Sequence, residues 1–467
     1  KSCIFANHII ILSVMKIHFI AIGGSAMHNL AISLKIKGYD VSGSDDEIFE
    51  PSKSRLAKYG ILPNNIGWNI EKITSDIDAV ILGMHARNDN PELLKAKALG
   101  LKIYSYPEFI YEQSKHKKRI VVGGSHGKTS ITSMILHVSK CCNVPCDYMV
   151  GANLEGFEVM VKLTDENPYI VIEGDEYLTS PLDPRPKFHV YKPDTGIISG
   201  IAWDHINVFP TFENYMEQFR IFAEQIPQDG TFIYCQDDEN VRKIAQQVNH
   251  RHAVGYTLPA YTVEDHRYFL LINEEKIPLE IFGKHNLLNM QAARLACNSM
   301  GISDHDFYRA IQSFKGASKR LELIYENKHC SLYKDFAHSP SKLKATVEAV
   351  KEKFPERELI ACIELHTFSS LTADFLKEYA HTMDKADTAI VYFNAHTIAH
   401  KKLPPVTKEM IYAAFQNENI RVYQHVSMLI DDLSLLKWEN KNLLMMSSGN
   451  FDGIDYDLLP KQIKAEK

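Results

Sequence analysis

"RIVVGGSHGKTSITSMI", residues 119–135, decides the architecture. An apolar strand runs into a glycine-rich turn. Ile131, Met134, Ile135 and Val138 then recur at helical spacing and give one apolar face. Strand, glycine turn and helix form the context in which Gly-Lys-Thr reads as a phosphate-binding loop. Val122 stands where the first glycine of G-x-x-x-x-G-K-[ST] would fall, a departure from the common NTPase loop. The elements that bind phosphate survive it, because backbone N–H groups and the helix dipole act at the helix N-terminus whatever precedes them. Gly124, Ser125, His126, Gly127, Lys128, Thr129 and Ser130 are therefore candidate ATP contacts. Lys128 is placed to neutralise the β- and γ-phosphates, and Thr129 offers its hydroxyl to Mg²⁺.

Outward from this loop, strand-like and helix-like segments alternate almost throughout, the pattern of α/β units with parallel sheets. "IHFIAI" (17–22), "GYDVSGSD", "DAVILG" and "LKIYSY" read as strands of a first unit, closed by the charged stretch "EQSKHKKR" (112–119). A second unit opens at Ile120 and contains "YIVIEGDE" (169–176) and "TGIISGIAWDH" (195–205). Phe212, Tyr215, Met216, Phe219, Phe222 and Ile226 trace a helix there whose side chains read as core. Near residue 325 the alternation restarts with "SLYKDFAHSP", "ELIACIE", "DTAIVYF" and "NLLMMSSG". The divisions drawn are 15–116, 117–325 and 326–467. Residues 1–14 are an extension of uncertain status, since Met15 reads as a native start.

The bulk numbers fit this organisation. A chain of 467 residues is too long for one hydrophobic core. A net charge of −6 gives no basic footprint for nucleic acid. The apolar run Ile9–Val14 is too short to span a bilayer. The eight cysteines contain no C-x-x-C pair, and reduced apolar side chains of a cytoplasmic protein are the reading they support.

A second glycine turn, "AIGGSAM" (21–27), is more degenerate. Against G-x-G-x-x-G it offers Ala21, Gly23 and Ala26, and a Rossmann-like nucleotide turn and a plain βα turn fit it equally. Asp45 lies about twenty residues beyond Gly24, the spacing at which an acidic residue meets a ribose hydroxyl. Glu173 and His205 end apolar segments, at the carboxyl edge where open α/β sheets bind ligands. With Thr129 they form a candidate Mg²⁺ set. Taken singly, Glu173 reads equally as half of a structural ion pair, and His205 more readily as a satisfied core histidine.

"GGSHGKTS", "IEGDEY", Asp204-His205, "FGKHNLLNMQAA" (282–293), "KRLE" (319–322) and "KDFAHSP" (334–340) occur in the order seen in the Mur ligases. These are the ATP-dependent amide-forming enzymes of peptidoglycan precursor synthesis. The resemblance covers about residues 16 to 455, and the N-terminal "IHFIAIGGSAMHNLA" resembles the branch acting on UDP-N-acetylmuramate. It implies three α/β domains: an N-terminal Rossmann-like UDP-binding domain, a central P-loop ATPase-type domain and a C-terminal Rossmann-like domain that binds the amine. It implies ATP and Mg²⁺, a cytoplasmic enzyme, and a monomer or homodimer, with no nucleic acid or membrane partner.

Residue by residue, the resemblance places Gly23, Gly24, Ser25, Ala26 and Met27 at the UDP diphosphate and Asp45 on the uridine side. His85, Arg87, Asn88 and Asn90 fall in the loop that reaches toward that substrate. Lys128, Glu173 and His205 carry catalysis, with Thr129, Glu173 and His205 as metal ligands. Asn286 and Asn289 match adenine-side contacts, and Arg320 and Asp335 grip ATP from the hinge and the third domain. Other family members carry a carbamylated lysine after the Asp-His pair; "FENYMEQFRIFAEQ" has no lysine, so none is expected.

Two amine donors are open, the tripeptide L-alanyl-γ-D-glutamyl-meso-diaminopimelate and L-alanine. "VIEGDEYLTSPLDPRPKFHVYKPDTGIISGIAWDHINVFP" resembles the tripeptide ligases more, which puts the tripeptide first. "CIELHTFSSL" (362–371) has neither the E-P-R-S-N-T run of those enzymes nor the H-R-Y-T run of the alanine ligases. His366 is the candidate amine-site residue there, and equally a polar residue at a strand end.

Overall fold

The computed structural model describes residues 14–151, 157–203, 206, 208–417 and 419–465. The N-terminal extension up to residue 13, together with Asp204 and His205, lies outside them. Three open sheets follow one another along the chain, each with helices packed on its faces. No helix among the described residues is long and apolar enough to cross a membrane.

The first sheet is wholly parallel, in the order β2-β1-β3-β4, from β1 (Lys16–Ile20), β2 (Asp40–Ser44), β3 (Ala79–Leu82) and β4 (Ile103–Ser105). The near-continuous apolar run of β1 and β3 is what a strand covered on both faces requires. Residues 112–114, read as an interruption, instead finish a helix (Tyr106–Ser114). Its Ser105/Glu108 capping box fixes where it starts.

The central sheet has seven strands in the order β13-β12-β11-β5-β8-β6-β7. They are β5 (Lys118–Gly123), β6 (Cys146–Met149), β7 (Val161–Lys162), β8 (Tyr169–Glu173), β11 (Thr195–Ile198), β12 (Thr231–Cys235) and β13 (Ala253–Tyr256). Only β7 runs antiparallel to its neighbour. β9 (Leu178–Ser180) and β10 (Asp183–Pro186) form a separate hairpin. On one face the helix Phe212–Glu224 stacks Phe222 on Phe188 and sets Phe219 edge-on to it. A three-stranded antiparallel sheet, β14 (Tyr261–Glu264), β15 (Arg267–Ile272) and β16 (Glu275–Leu279), was not anticipated from the sequence. It carries the central domain across to the third.

The third sheet runs β17-β18-β22-β19-β20-β21, from β17 (Glu322–Glu326), β18 (Cys330–Asp335), β19 (Glu358–Glu364), β20 (Thr388–Tyr392), β21 (Arg421–Tyr423) and β22 (Lys441–Met446). β17 is antiparallel to β18 and lies on this sheet, just before the division drawn at residue 326. The helix Pro340–Lys353 covers it. At that helix's far end, Glu352 accepts hydrogen bonds from Tyr261 (2.7 Å) and Tyr268 (2.5 Å) of the three-stranded sheet. Beside them the Lys353 ammonium sits 4.2 Å over the Phe282 ring. The first domain is tied to the central one by Asn29, which accepts from the Met160 N–H, and by Arg55, which donates to the Glu158 carbonyl.

Phe222 is fully buried and stacks on the Phe188 ring. Phe222→Ala is expected to cost about 3–5 kcal/mol, read as a lower urea midpoint at unchanged slope.

Candidate active site

The glycine turn works because it has no side chains where neighbours press closest. Gly124 (φ +132°) and Gly127 (φ +83°) hold left-handed conformations that disfavour any Cβ. A Cβ at Gly124 would lie 2.1 Å from Ser199 Oγ, and one at Gly127 would lie 2.3 Å from Asn289 Oδ1. Val122 needs no such freedom. It is a buried strand residue paired with Ile197 on one side and Glu173 on the other, so the turn begins after Gly123.

The helix Lys128–Cys141 starts directly from this turn. Lys128 Nζ donates to the Gly124 carbonyl and to Glu176 Oε2, each at 2.6 Å. Burial pushes its ammonium down, but the Glu176, Asp175 and Glu173 carboxylates outweigh that and hold it above the usual lysine value. Tyr215 donates to the other Glu176 oxygen (3.1 Å) and shares a 2.9 Å hydrogen bond with Ser125. The helix read as core alone therefore reaches into the site. Glu176 and Tyr215 join this candidate site without having been singled out in the sequence, Tyr215 being hidden by its apolar spacing. Thr129 donates to Glu173 Oε1 at 2.8 Å, and Glu173 Oε2 accepts from the Gly151 N–H.

A cavity of about 380 Å³ opens over this turn. Its walls bring together Ser125, His126, Lys128, Thr129, Ser130, Glu173, Asn286, Asn289, Arg320 and Asp335, residues scattered over two hundred positions of sequence. Asn286 and Asn289 come from the helix Lys284–Ser299. Asn286 also caps inward, donating to the Phe282 carbonyl. Asp335, at the end of β18, accepts from the Leu321 and Ala337 N–H groups, and burial raises its carboxyl above the usual range. Arg320 stacks 4.7 Å over Phe336 on the same wall. The third domain adds Ser341, Lys342, Thr346 and Ser448, and the central domain adds His285, none singled out in the sequence.

The second glycine turn lies at the carboxyl end of β1. Ser25 and Ala26 are exposed and open the helix Ser25–Ile36, while Met27 packs inward. Asp45 stands at the end of β2 beside this turn. Its carboxylate accepts from the Gly23 N–H at 2.6 Å, so it shapes the turn from behind, and burial raises its pKa. His85, Arg87 and Asn88 are exposed on the neighbouring loop after β3, which touches the turn where Gly83 packs on Ala21. Asn90 is buried and caps the helix Pro91–Ala98 through its side-chain oxygen, a structural use the sequence reading did not foresee.

In the third domain His366 follows β19. Its Nδ1 lies 3.6 Å from Glu364, which is buried, bonded to the Ser447 hydroxyl and accepts from the Phe451 N–H. The site residues thus gather at the turn after β1, in the cavity between the central and third domains, and at the end of β19.

His285 is held neutral by burial, with His126 adding to the effect, and its pKa is pushed down to about 4. A histidine depressed below its unfolded value of 6.5 binds fewer protons folded than unfolded. Its stabilisation is complete above that value and is lost as pH falls toward 4. The urea midpoint should fall over this window, and His285→Asn should flatten part of the slope.

Three family models cover most of the chain: "Mur ligase family, catalytic domain" over residues 16–118, "Mur ligase middle domain" over 122–297, and "Mur ligase, glutamate ligase domain" over 319–449. The UDP-N-acetylmuramate–L-alanine ligase of Clostridium kluyveri is 33% identical over 390 residues, 80% of this chain and 82% of its own. Among solved structures, the UDP-N-acetylmuramate-alanine ligase of Thermotoga maritima superposes with a TM-score of 0.69 at 20% identity. It covers 97% of this chain and 100% of its own. A murein peptide ligase from Psychrobacter arcticus gives 0.64 at 23%, covering 96% and 98%. Joined to the phosphate loop, the shared cavity and the three sheets, these likenesses establish that the chain belongs to the Mur ligase family of ATP-dependent amide-forming ligases.

Proposed function

We propose that this enzyme joins the lactyl carboxylate of UDP-N-acetylmuramate to the amine of L-alanine at the expense of ATP. The observation that carries the proposal is the cavity between the Lys128 turn and the third sheet, with His366 and Glu364 just beyond it. The curated relatives, named for L-alanine, support that donor over the tripeptide that the 171–210 stretch had favoured. The tripeptide stands second, on that stretch alone.

A carboxylate is a poor acyl donor because it has no acceptable leaving group. Attack of a carboxylate oxygen on the γ-phosphorus of ATP breaks the bond to the β–γ bridging oxygen and releases ADP. The acyl phosphate formed carries phosphate as its leaving group. The amine nitrogen then bonds to the carbonyl carbon, the carbon–oxygen bond to phosphate breaks, and the nitrogen loses a proton. The substrate supplies the nucleophile, so the protein's work is positioning and charge neutralisation. Lys128 meets the phosphate charge, and the N–H groups of the turn bind its oxygens. Thr129 and Glu173 offer adjacent hard oxygen donors that fit Mg²⁺, with His205 as the further ligand the family pattern implies. When bound, the ion spreads phosphate charge. Enclosure between two domains excludes water from the acyl phosphate.

Phosphate release from ATP should depend on UDP-N-acetylmuramate together with L-alanine. Release with the tripeptide but not L-alanine would overturn the donor, and release with neither would overturn the reaction. Lys128→Ala should abolish release while leaving UDP-sugar affinity within about twofold, because the two glycine turns belong to different sheets. It should also destabilise the fold by roughly 3–5 kcal/mol, because buried Glu176 loses its cation.

A further inference from the structure

Two polar atoms on the wall of the nucleotide cavity are buried without a hydrogen-bond partner among the described residues: Ser448 Oγ and His285 Nδ1. Buried hydroxyls are almost always satisfied, so an orphan facing a cavity marks a place where a ligand completes the bond. His285 shares the wall with Asn286 and Asn289 on one helix. Ser448 comes from the opposite domain and sits elsewhere.

Its neighbours fix that position. β22 lies between β18 and β19 in the third sheet, so its carboxyl end stands between theirs. On the β18 side, the Ser447 N–H donates to the Asp335 carbonyl at 3.0 Å, beside the residues on the nucleotide wall. On the β19 side, the Ser447 hydroxyl bonds Glu364, and Gly449 packs against both Glu364 and His366. Gly449 is tight there, since a Cβ would lie 2.9 Å from each. The Ser447–Gly449 segment is thereby held from both sides, and Ser448 lines the cavity with a buried hydroxyl that has no partner among the described residues. It is the junction between the nucleotide cavity and the His366 edge.

The chemistry of the ligase reading, on which this inference rests, says what passes that junction. The amine must reach the carbon that carries the transferred phosphoryl group, so that group lies on the side of the cavity nearest the amine. We infer that the Ser448 hydroxyl donates a hydrogen bond to a non-bridging oxygen of the γ-phosphoryl group, a contact ADP cannot make. Lys128 and the glycine turn hold the phosphates from the central domain, and Ser448 holds the terminal one from the third. The bond forms only when both domains enclose the nucleotide.

The test uses nucleotide alone, so it does not depend on which amine or sugar is the substrate. Dissociation constants for ADP and for the β,γ-imido analogue of ATP are measured with Mg²⁺ for the full chain, Ser448→Ala and Ser448→Thr. Ser448→Ala should weaken the imido analogue roughly tenfold, as loss of a hydrogen bond to a charged group does, and leave ADP within twofold. Ser448→Thr, which keeps the hydroxyl, should restore most of the difference. Equal weakening of both nucleotides would make Ser448 a wall residue only and overturn the inference, as would no effect on either. Should the nucleotide results come out as expected while no amine stimulates phosphate release, the ligase reading fails and the Ser448 contact stands.

Discussion

A buried ammonium governs this structure. Lys128 projects from the first turn of its helix into a place where water is scarce, and its charge is tolerable only because carboxylates surround it. Glu176 takes the direct contact, Tyr215 orients Glu176, and Ser125 ties Tyr215 back to the turn. The chain of bonds runs from the phosphate loop through two other elements and returns to it. Each member has its position set by the next, so the loop is organised before any nucleotide arrives. A phosphate entering the cavity meets a cation already fixed in place, and little reorganisation is left for the moment of reaction.

The carboxylates around that cation come from the central domain, and the other two sheets present polar groups of their own. The first sheet presents its own glycine turn at the carboxyl end of β1, and the third presents Asp335, Glu364 and His366 at the carboxyl ends of β18 and β19. Parallel strands put all their carboxyl ends on one edge, which is why three repetitions of the same layered unit yield three binding edges. Residues of the central and third domains meet in the cavity between them.

Much of this was legible in the sequence because its signals are local. The strand, turn and helix at 118–141 follow from apolar spacing and glycine, and Val122 fits once β5 is seen to run through it. Signals that depend on distant partners were not legible. Tyr215 has the spacing of a core residue and is one, yet its hydroxyl belongs to the site. Asp45 has the sequence separation of a ribose ligand, and the pairing of β2 with β1 sets it against the Gly23 N–H. Asn90 lies in the loop after β3 and is consumed by capping its own helix. The three-stranded sheet at 261–279 alternates too weakly to stand out, because its strands pack against a helix ninety residues further on. His205 remains legible only as a motif residue.

The helix Pro340–Lys353 has two attachments. Near its N-terminus Ser341, Lys342 and Thr346 face the nucleotide cavity, and near its C-terminus Glu352 is clasped by Tyr261 and Tyr268. A helix of this length is a stiff rod of roughly 20 Å, so its ends cannot be placed independently. Nucleotide binding and domain attachment are therefore two loads on one lever. A contact far from the cavity, and invisible to any motif, thus shares one stiff element with the cavity's wall.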